Sequence, residues 1–151
     1  MSDKAPTQHS SSSKKYSKSK AAMNSIPHSA ELGIEFFCRD DTSATLKLPY
    51  KKELIGNPLT GTVHGGVVLS LIDSACGRAV FIALKTPETI ATLDLRVDYF
   101  KPAKPEQDLY CVAECYKLTR TVVFMRAVVY QDDIDDPIAS SVSTFMRTSV
   151  Q

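Results

Sequence analysis

The chain has 151 residues, of which 43% are hydrophobic and 23% charged, and this is the composition of an ordinary globular protein with one core. The formal net charge is only +1, and no basic stripe with interleaved aromatic residues is present, which argues against a nucleic-acid partner. Four cysteines occur without a CxxC pair and only three histidines are present, so no metal site is expected. The cysteines are predicted to be small buried side chains in a reducing compartment.

The first residues differ from the rest of the chain. Five lysines and a single aspartate fall within the first 20 residues, among many serines. Such a segment buries too little apolar surface to offset its ordering entropy, so we expect a disordered basic tail over residues 1–22 and a single folded domain over residues 23–151. The tail has no apolar signal-peptide core, and the longest apolar run, Val67 to Leu84, is interrupted by Asp73 and Arg78. These features favour a cytoplasmic protein without a membrane partner.

The remaining pattern is two strands, one long helix and four further strands. The helix is predicted from Gly65 to Leu84, before Pro87, and follows a loop over residues 51–63. The predicted strands are Gly33–Cys38, Ser43–Pro49, Thr89–Phe100, Asp108–Leu118, Thr121–Gln131 and Ile138–Arg147. In the third strand the alternation places Leu93, Leu95, Val97 and Tyr99 on one face. Short connectors require antiparallel pairing, which predicts an α+β fold with a curled antiparallel sheet of about six strands around one central helix.

The predicted helix is apolar on nearly all sides, yet Asp73 lies in its middle. A buried carboxylate is costly without a partner, so this residue needs a hydrogen bond, water or a chemical task. Its neighbours on the helix surface, Gly66, Ser70 and Gly77, follow the helical spacing and are small. This stripe leaves room beside the carboxylate for a ligand or for another backbone.

The predicted start of the helix contains the run His64-Gly65-Gly66. Backbone N–H groups in the first turn have no helical partner, and glycine lets an outside group approach them closely. The positive end of the helix dipole lies there as well. We therefore expect Gly65 and Gly66 to contact a substrate, with a first-turn amide polarising a carbonyl that becomes an oxyanion.

The segment from Asn57 to Asp73, NPLTGTVHGGVVLSLID, resembles the hotdog-fold thioesterases of the phenylacetate-pathway (PaaI) and thioesterase-superfamily-member-2 type. The shared pattern is a loop Asn, then HGG, then an acidic residue nine positions after the His. The later run TLDLRVDYFKPA, which begins at Thr92, also looks like the family's strand after the helix. The resemblance covers about residues 30–148 and implies a hotdog fold that hydrolyses acyl-CoA thioesters without a metal or organic cofactor.

The resemblance also implies a role for five residues. Gly65 matches the amide that polarises the thioester carbonyl, and Asn57 matches a loop amide that helps to hold the carbonyl or the water. His64 would orient the loop and the thioester, and Asp73 would act as general base or as nucleophile. Thr92 matches a hydroxyl that helps to place the attacking water.

Helix geometry predicts that this site needs two chains. Asp73 follows Gly65 by eight residues, which is about 12 Å along a helix axis. One helix cannot bring both groups to one thioester, whereas two antiparallel helices related by a twofold axis can. A homodimer or a homotetramer is therefore expected.

The nucleotide half of CoA carries phosphates and needs cations. The candidates are Lys101 and Lys104, after the strand that contains Thr92, and Arg120 in a tight turn, all expected at the sheet edge that holds the thioester. Two other functions stay open: a non-catalytic acyl-CoA-binding hotdog protein, and a scaffold domain that uses the basic tail. The sequence leaves the acyl group undetermined.

Overall fold

The computed structural model describes residues 25–86 and 88–148, so the predicted tail over residues 1–22 and the position of Pro87 lie outside the described residues. Six strands form one antiparallel sheet in the order β1-β2-β6-β7-β8-β5. They are β1 (Glu35–Arg39), β2 (Ser43–Leu48), β5 (Thr89–Tyr99), β6 (Leu109–Leu118), β7 (Val122–Tyr130) and β8 (Ala139–Thr148). A separate two-stranded ribbon contains β3 (Ile55–Asn57) and β4 (Thr62–Val63).

The long helix α2 (Gly65–Leu84) packs across the sheet and contacts β2, β5, β6, β7 and β8. Its buried side chains include Leu71 and Ile72, which are 0% exposed, and they join the inward-facing residues of the strands in one core. By length and composition α2 is apolar enough to cross a membrane, but in this fold it is the core helix. The predicted α+β arrangement of six antiparallel strands and one central helix is confirmed.

Three local elements were not predicted. A short helix α1 (Pro27–Leu32) begins with Pro27 in its first turn and ends at Gly33, whose φ of 77° is a left-handed conformation that glycine adopts readily. A 3-10 turn (Lys52–Leu54) and the β3-β4 ribbon occupy the predicted loop. These elements are too short to show a periodic pattern of hydrophobic residues, so they cannot be predicted from such a pattern.

Strand β5 departs from the predicted alternation. Thr92 pairs with Phe145 and Asp94 pairs with Thr144, so Leu93 forms a β-bulge, and its side chain is 56% exposed. The bulge adds one residue to β5 and reverses which side chains face the helix. The prediction that Leu93 shares a face with Leu95, Val97 and Tyr99 is therefore wrong, and Thr92 takes the place on that face.

The cysteine prediction holds for two of the four residues. Cys76 and Cys111 are buried, and burial raises the pKa of the Cys76 thiol to about 12 and that of Cys111 well above its usual range. Cys115 is half-buried. Cys38 is exposed, contrary to the prediction, because it lies on the edge strand β1 next to a second bulge.

Candidate active site

Strand β5 brings Thr92 to the carboxylate in the middle of α2. The Thr92 hydroxyl Oγ1 donates a hydrogen bond of 2.9 Å to Asp73 Oδ1. Thr92 reaches the helix because the bulge at Leu93 turns it to the inner face of the sheet. Asp73 is half-buried, so one carboxylate oxygen is held by the hydroxyl while the group keeps access to the surface.

Asp73 and Thr92 open into a groove of about 310 Å³ along α2. This volume is at the lower end of the range for small-molecule sites. The groove is lined by both apolar and polar side chains: Ile26, His28, Ser29, Asp73, Ser74, Gly77, Arg78, Phe81, Ile90, Thr92 and Phe145. We call this cavity the Asp73 groove. The predicted space beside the carboxylate is therefore present.

The start of α2 is capped by the side chain of His64. The His64 Nδ1 atom accepts a hydrogen bond of 2.9 Å from the Gly66 N–H, so this first-turn donor is used within the chain. The Gly65 N–H has no hydrogen-bond partner in the described part of the chain. Of the two glycines that were expected to offer a donor, Gly65 alone keeps its N–H for a ligand, because His64 takes the other.

Tyr99 at the end of β5 holds the same turn from the other side. Its hydroxyl donates a hydrogen bond of 2.7 Å to the Gly65 carbonyl oxygen. Burial raises the pKa of the Tyr99 phenol. Tyr99 also lines a second cavity, of about 270 Å³, together with Gly65 and Lys101. The position of Tyr99 on a sheet face was predicted from the sequence, but its contact with Gly65 was not.

Gly56 in β3 is a second residue whose role could not be predicted from the sequence. A Cβ atom at this position would lie 2.6 Å from His64 Cα and 2.9 Å from His64 Cβ. The backbone next to the motif histidine therefore needs a glycine here, because any other side chain would displace it. The sequence marks Gly56 only as a turn residue, and the close approach depends on the β3-β4 ribbon.

Asn57 ends the same ribbon strand and organises the loop that follows it. Its side-chain Oδ1 accepts a hydrogen bond of 3.0 Å from the Leu59 N–H, and its backbone oxygen accepts one of 2.9 Å from the Gly61 N–H. The side chain is exposed, and its amide Nδ2 has no partner in the described chain. The free end of the Asn57 amide is therefore a donor.

The two halves of the predicted site are separate within one chain. Gly65 lines the cavity beside Tyr99 at the first turn of α2, whereas Asp73 lines the groove two turns further along. The rise of the helix separates them by about 12 Å along its axis. One described chain thus carries an amide donor at one place and a carboxylate at another.

The three predicted cations do not share one edge of the sheet. Lys101 lines the cavity beside Gly65 and forms an ion pair with Asp136. Lys104 lies at the same end of the sheet, where its Nζ is 2.8 Å from Asp132. Arg120 lies in the turn between β6 and β7. This turn is next to the end of β8 that pairs with the start of β5, so Arg120 lies at the opposite end of the sheet from Lys101 and Lys104.

The expectation of a shared edge is therefore wrong within one chain. The turn between β6 and β7 was correctly predicted, but the strand order places it far from the C-terminal end of β5. This strand order cannot be predicted from a local sequence pattern. Among the described residues, no group of three or more His, Cys, Asp or Glu side chains is arranged to hold a metal ion.

Comparison with known proteins identifies the family. Residues 60–138 match the model of the Thioesterase superfamily. The chain is 38% identical over 94 residues to a putative esterase of Halobacterium salinarum, a match that covers 60% of this chain and 61% of that protein. It is 28% identical over 134 residues to the medium/long-chain acyl-CoA thioesterase YigI of Escherichia coli, covering 80% of this chain and 85% of YigI.

Solved structures share the fold over nearly the whole described chain. A Pseudomonas aeruginosa protein superposes with a TM-score of 0.79 at 41% identity, covering 88% of this chain and 98% of that one. The PaaI protein of the Escherichia coli phenylacetic acid degradation operon superposes with a TM-score of 0.76 at 17% identity, covering 89% and 94%, and shows the fold alone. With a matching family model, the chain belongs to the thioesterase superfamily, and it has the hotdog fold that it shares with PaaI.

Proposed function

We propose that this protein hydrolyses acyl-CoA thioesters to the free acid and CoA, at sites formed between two copies of the chain. The observation that carries the proposal is the hydrogen bond between Thr92 and Asp73, which holds a carboxylate in the wall of a groove. The relative YigI, by its name, acts on medium- and long-chain acyl-CoA. A superfamily member with a positioned carboxylate fits the same reaction class.

The proposed reaction uses Asp73 of one copy and the Gly65 N–H of a second copy. Asp73 Oδ1 accepts the Thr92 hydrogen bond, which leaves Oδ2 to take a proton from an attacking water. The resulting hydroxide attacks the thioester carbon, and the carbonyl oxygen becomes an oxyanion that the Gly65 N–H of a second copy stabilises. Collapse of this intermediate breaks the C–S bond, and the CoA thiolate leaves and takes up a proton. The products are a carboxylic acid and CoA.

The open edge of the sheet at β5 supports the proposal that a second copy of the chain completes the site. Strand β5 has 11 residues and is paired on one side only, by β8, within the described chain. A long open edge favours pairing with another strand. Antiparallel pairing of two β5 strands about a twofold axis, with Thr92 opposite Tyr99 of the second copy, brings the Gly65 turn of that copy toward Asp73. The same register serves both sites.

A panel of acyl-CoAs, from acetyl to long-chain and including aromatic acids, tests the proposal through release of free CoA thiol by the pure protein. The Asp73→Asn variant should lose turnover by about 10²–10⁴-fold, as is usual when positioned acid–base chemistry is removed. Circular dichroism and thermal unfolding check that the variant folds. Tight binding of acyl-CoA by the wild-type protein without hydrolysis would instead show a non-catalytic acyl-CoA-binding protein.

A further inference from the structure

The Asp73 groove continues along α2 beyond the carboxylate, toward the C-terminal end of the helix. Asp73, Gly77 and Phe81 follow one another at intervals of four residues, so they lie in one row on the helix surface. The row spans about 12 Å. We call the part of the groove along this row, from Asp73 to Phe81, the channel.

The two walls of the channel come from different elements. Ile90 and Phe145, on β5 and β8, form the side of the sheet, while Ile26 at the start of α1 lies on the other side. The α1 segment is tied to α2 by a hydrogen bond of 3.1 Å between His28 Nε2 and Ser70 Oγ. Apolar atoms make up most of the wall surface, and Asp73, the proposed base, lines the same cavity.

Gly77 lies in the middle of this channel. A Cβ atom added there would have Phe145 Cε1 as its nearest neighbour, at 4.0 Å, which is ordinary van der Waals contact. The helix therefore accepts an alanine without strain, and glycine in a helix interior is otherwise a cost relative to alanine. A larger side chain would project into the channel and fill it.

We propose that this channel holds the acyl chain as an extended apolar group, and that Gly77 and Phe81 set the length that is accepted. Gly77 keeps the middle open, and Phe81, which is 45% exposed, stands at the distal end. The inference rests on the proposed function, because the reacting carbonyl at Asp73 fixes where the chain begins. The substrate class is then a linear aliphatic acyl-CoA whose chain runs along α2.

Because of Arg78, the channel could instead bind an acyl group that ends in a carboxylate. It lines the same groove, and its guanidinium carbon lies 5.7 Å from the centre of the Phe36 ring. An acyl group with a distal carboxylate could approach this cation. The apolar chain is favoured because apolar atoms, including those of Phe81, Ile90 and Phe145, make up most of the wall surface. A carboxylated chain is therefore the competing outcome of the test.

The test compares kcat/KM across saturated acyl-CoAs of increasing length for the wild type, Gly77→Ala, Gly77→Leu and Phe81→Ala. Gly77→Leu should cause a loss that grows with chain length and reaches about 10-fold or more for the longest chains, since one methylene in a pocket changes specificity by about 10–200-fold. Gly77→Ala should give a smaller shift in the same direction. Phe81→Ala should move the preference toward longer chains. Ala83→Val, a matched enlargement on α2 outside the groove, should leave the length profile unchanged.

Several results would overturn the inference. The first is an equal loss for all chain lengths in Gly77→Leu, or an unchanged profile in a folded variant. Dissociation of the Gly77→Leu assembly in sedimentation would show that Gly77 makes room for a second copy instead. A preference of the wild type for acyl groups with a distal carboxylate over alkyl groups of equal length would assign the channel to Arg78. If the wild type hydrolyses no acyl-CoA, the proposed function itself fails, and this result is separate from the others.

Discussion

The hydroxyl of Thr92 lies 2.9 Å from Asp73 Oδ1 and links the start of strand β5 to the middle of helix α2. The link depends on the bulge at Leu93, without which Thr92 would face the outer side of the sheet. The carboxylate thus has a fixed orientation although it is only half-buried. We therefore propose that Thr92 positions the Asp73 carboxylate.

Replacing Thr92 with Val should therefore reduce kcat while the fold is kept. The change removes the hydroxyl that donates to the carboxylate and keeps the side-chain shape. A hydrogen bond to a charged group contributes about 1.5–3 kcal/mol, which corresponds to a loss of about 10–100-fold in rate. Thr92→Ser, which keeps the donor, is the control and should retain most of the activity. Equal kcat values for the Val and Ser variants would show that the hydroxyl does not position the carboxylate.

A complementation experiment addresses whether the site is shared between chains. Gly65→Pro removes the backbone N–H and is compatible with the helix start, because proline is well accepted at the first position of a helix and His64 already has the extended conformation that precedes proline. The added Cβ would lie 3.6 Å from the Tyr99 hydroxyl oxygen, which is an ordinary contact. Neither Gly65→Pro nor Asp73→Asn alone should be active. Heterodimers of the two contain one intact site, so a random mixture should recover about a quarter of the wild-type rate. Verified heterodimers without any recovery would contradict the shared site.

The helix, the six strands and the position of the carboxylate could be predicted because each depends on a long local pattern. The apolar run that ends at Leu84 gave the bounds of α2 as the structure has them. The bulge at Leu93 could not be predicted, because apolar and polar residues continue to alternate through this position in the sequence. The bulge is created by the pairing of β5 with β8. The direction in which Thr92 points follows from that pairing alone.

Contacts between distant segments account for the remaining differences. Gly56 lies against His64 only because the β3-β4 ribbon forms, and Arg120 lies far from Lys101 only because of the strand order. The resemblance to thioesterases named the motif residues, but it gave no contact for Gly56 or Tyr99. Those two residues hold the first turn of α2 in place.

Gly56→Ala tests the contact that holds His64. The added Cβ would lie 2.6 Å from His64 Cα, so the ribbon or the first turn of α2 must shift. Overpacking of this kind costs about 1–3 kcal/mol, and we expect a lower melting temperature together with a lower kcat. Differential scanning fluorimetry and the acyl-CoA assay measure the two effects. Wild-type activity and stability in this variant would show that the turn adapts and that the close approach has no role.

The ion pair between Glu88 and Arg147 predicts a pH dependence of stability. Arg147 Nε donates to Glu88 Oε2 at 2.8 Å, and the Glu88 side chain is 8% exposed. The hydrogen bond from Arg147 holds the pKa of Glu88 below its ordinary value of 4.5. A depressed pKa means that the stabilisation is complete above that ordinary value and is lost as the pH falls through the value in the folded protein.

Glu88→Gln should accordingly lower the melting temperature at pH 7, and its difference from the wild type should shrink as the pH falls below about 4.5. Glu53→Gln, at an exposed site in the 3-10 turn, is the control and should show no such dependence. Thermal unfolding between pH 3 and pH 7, as a working range around the ordinary carboxylate value, measures both variants. A difference that stays constant with pH would assign the effect of the substitution to packing.

Lys101, the cation beside Gly65, is predicted to contribute to the binding of CoA. Lys101 lines the same cavity as Gly65, and its ion pair with Asp136 keeps the ammonium group at the cavity wall. If the thioester carbonyl binds at Gly65, the phosphates of CoA extend past this wall, and a cation there lowers KM without changing the chemical step. Lys101→Ala should therefore raise KM for acyl-CoA and leave kcat nearly unchanged. Acyl-pantetheine, which lacks the nucleotide, should show a much smaller increase.

Two further variants complete this test. Lys117→Ala removes an exposed cation from β6 and should leave KM unchanged. Arg120 lies at the opposite end of the sheet, so it can reach the nucleotide only when antiparallel pairing of two β5 strands brings that end to the Gly65 cavity of the other copy. We expect Arg120→Ala to raise KM for acyl-CoA less than Lys101→Ala does. An equal KM increase for acyl-CoA and acyl-pantetheine in either variant would show that the residue does not bind the nucleotide.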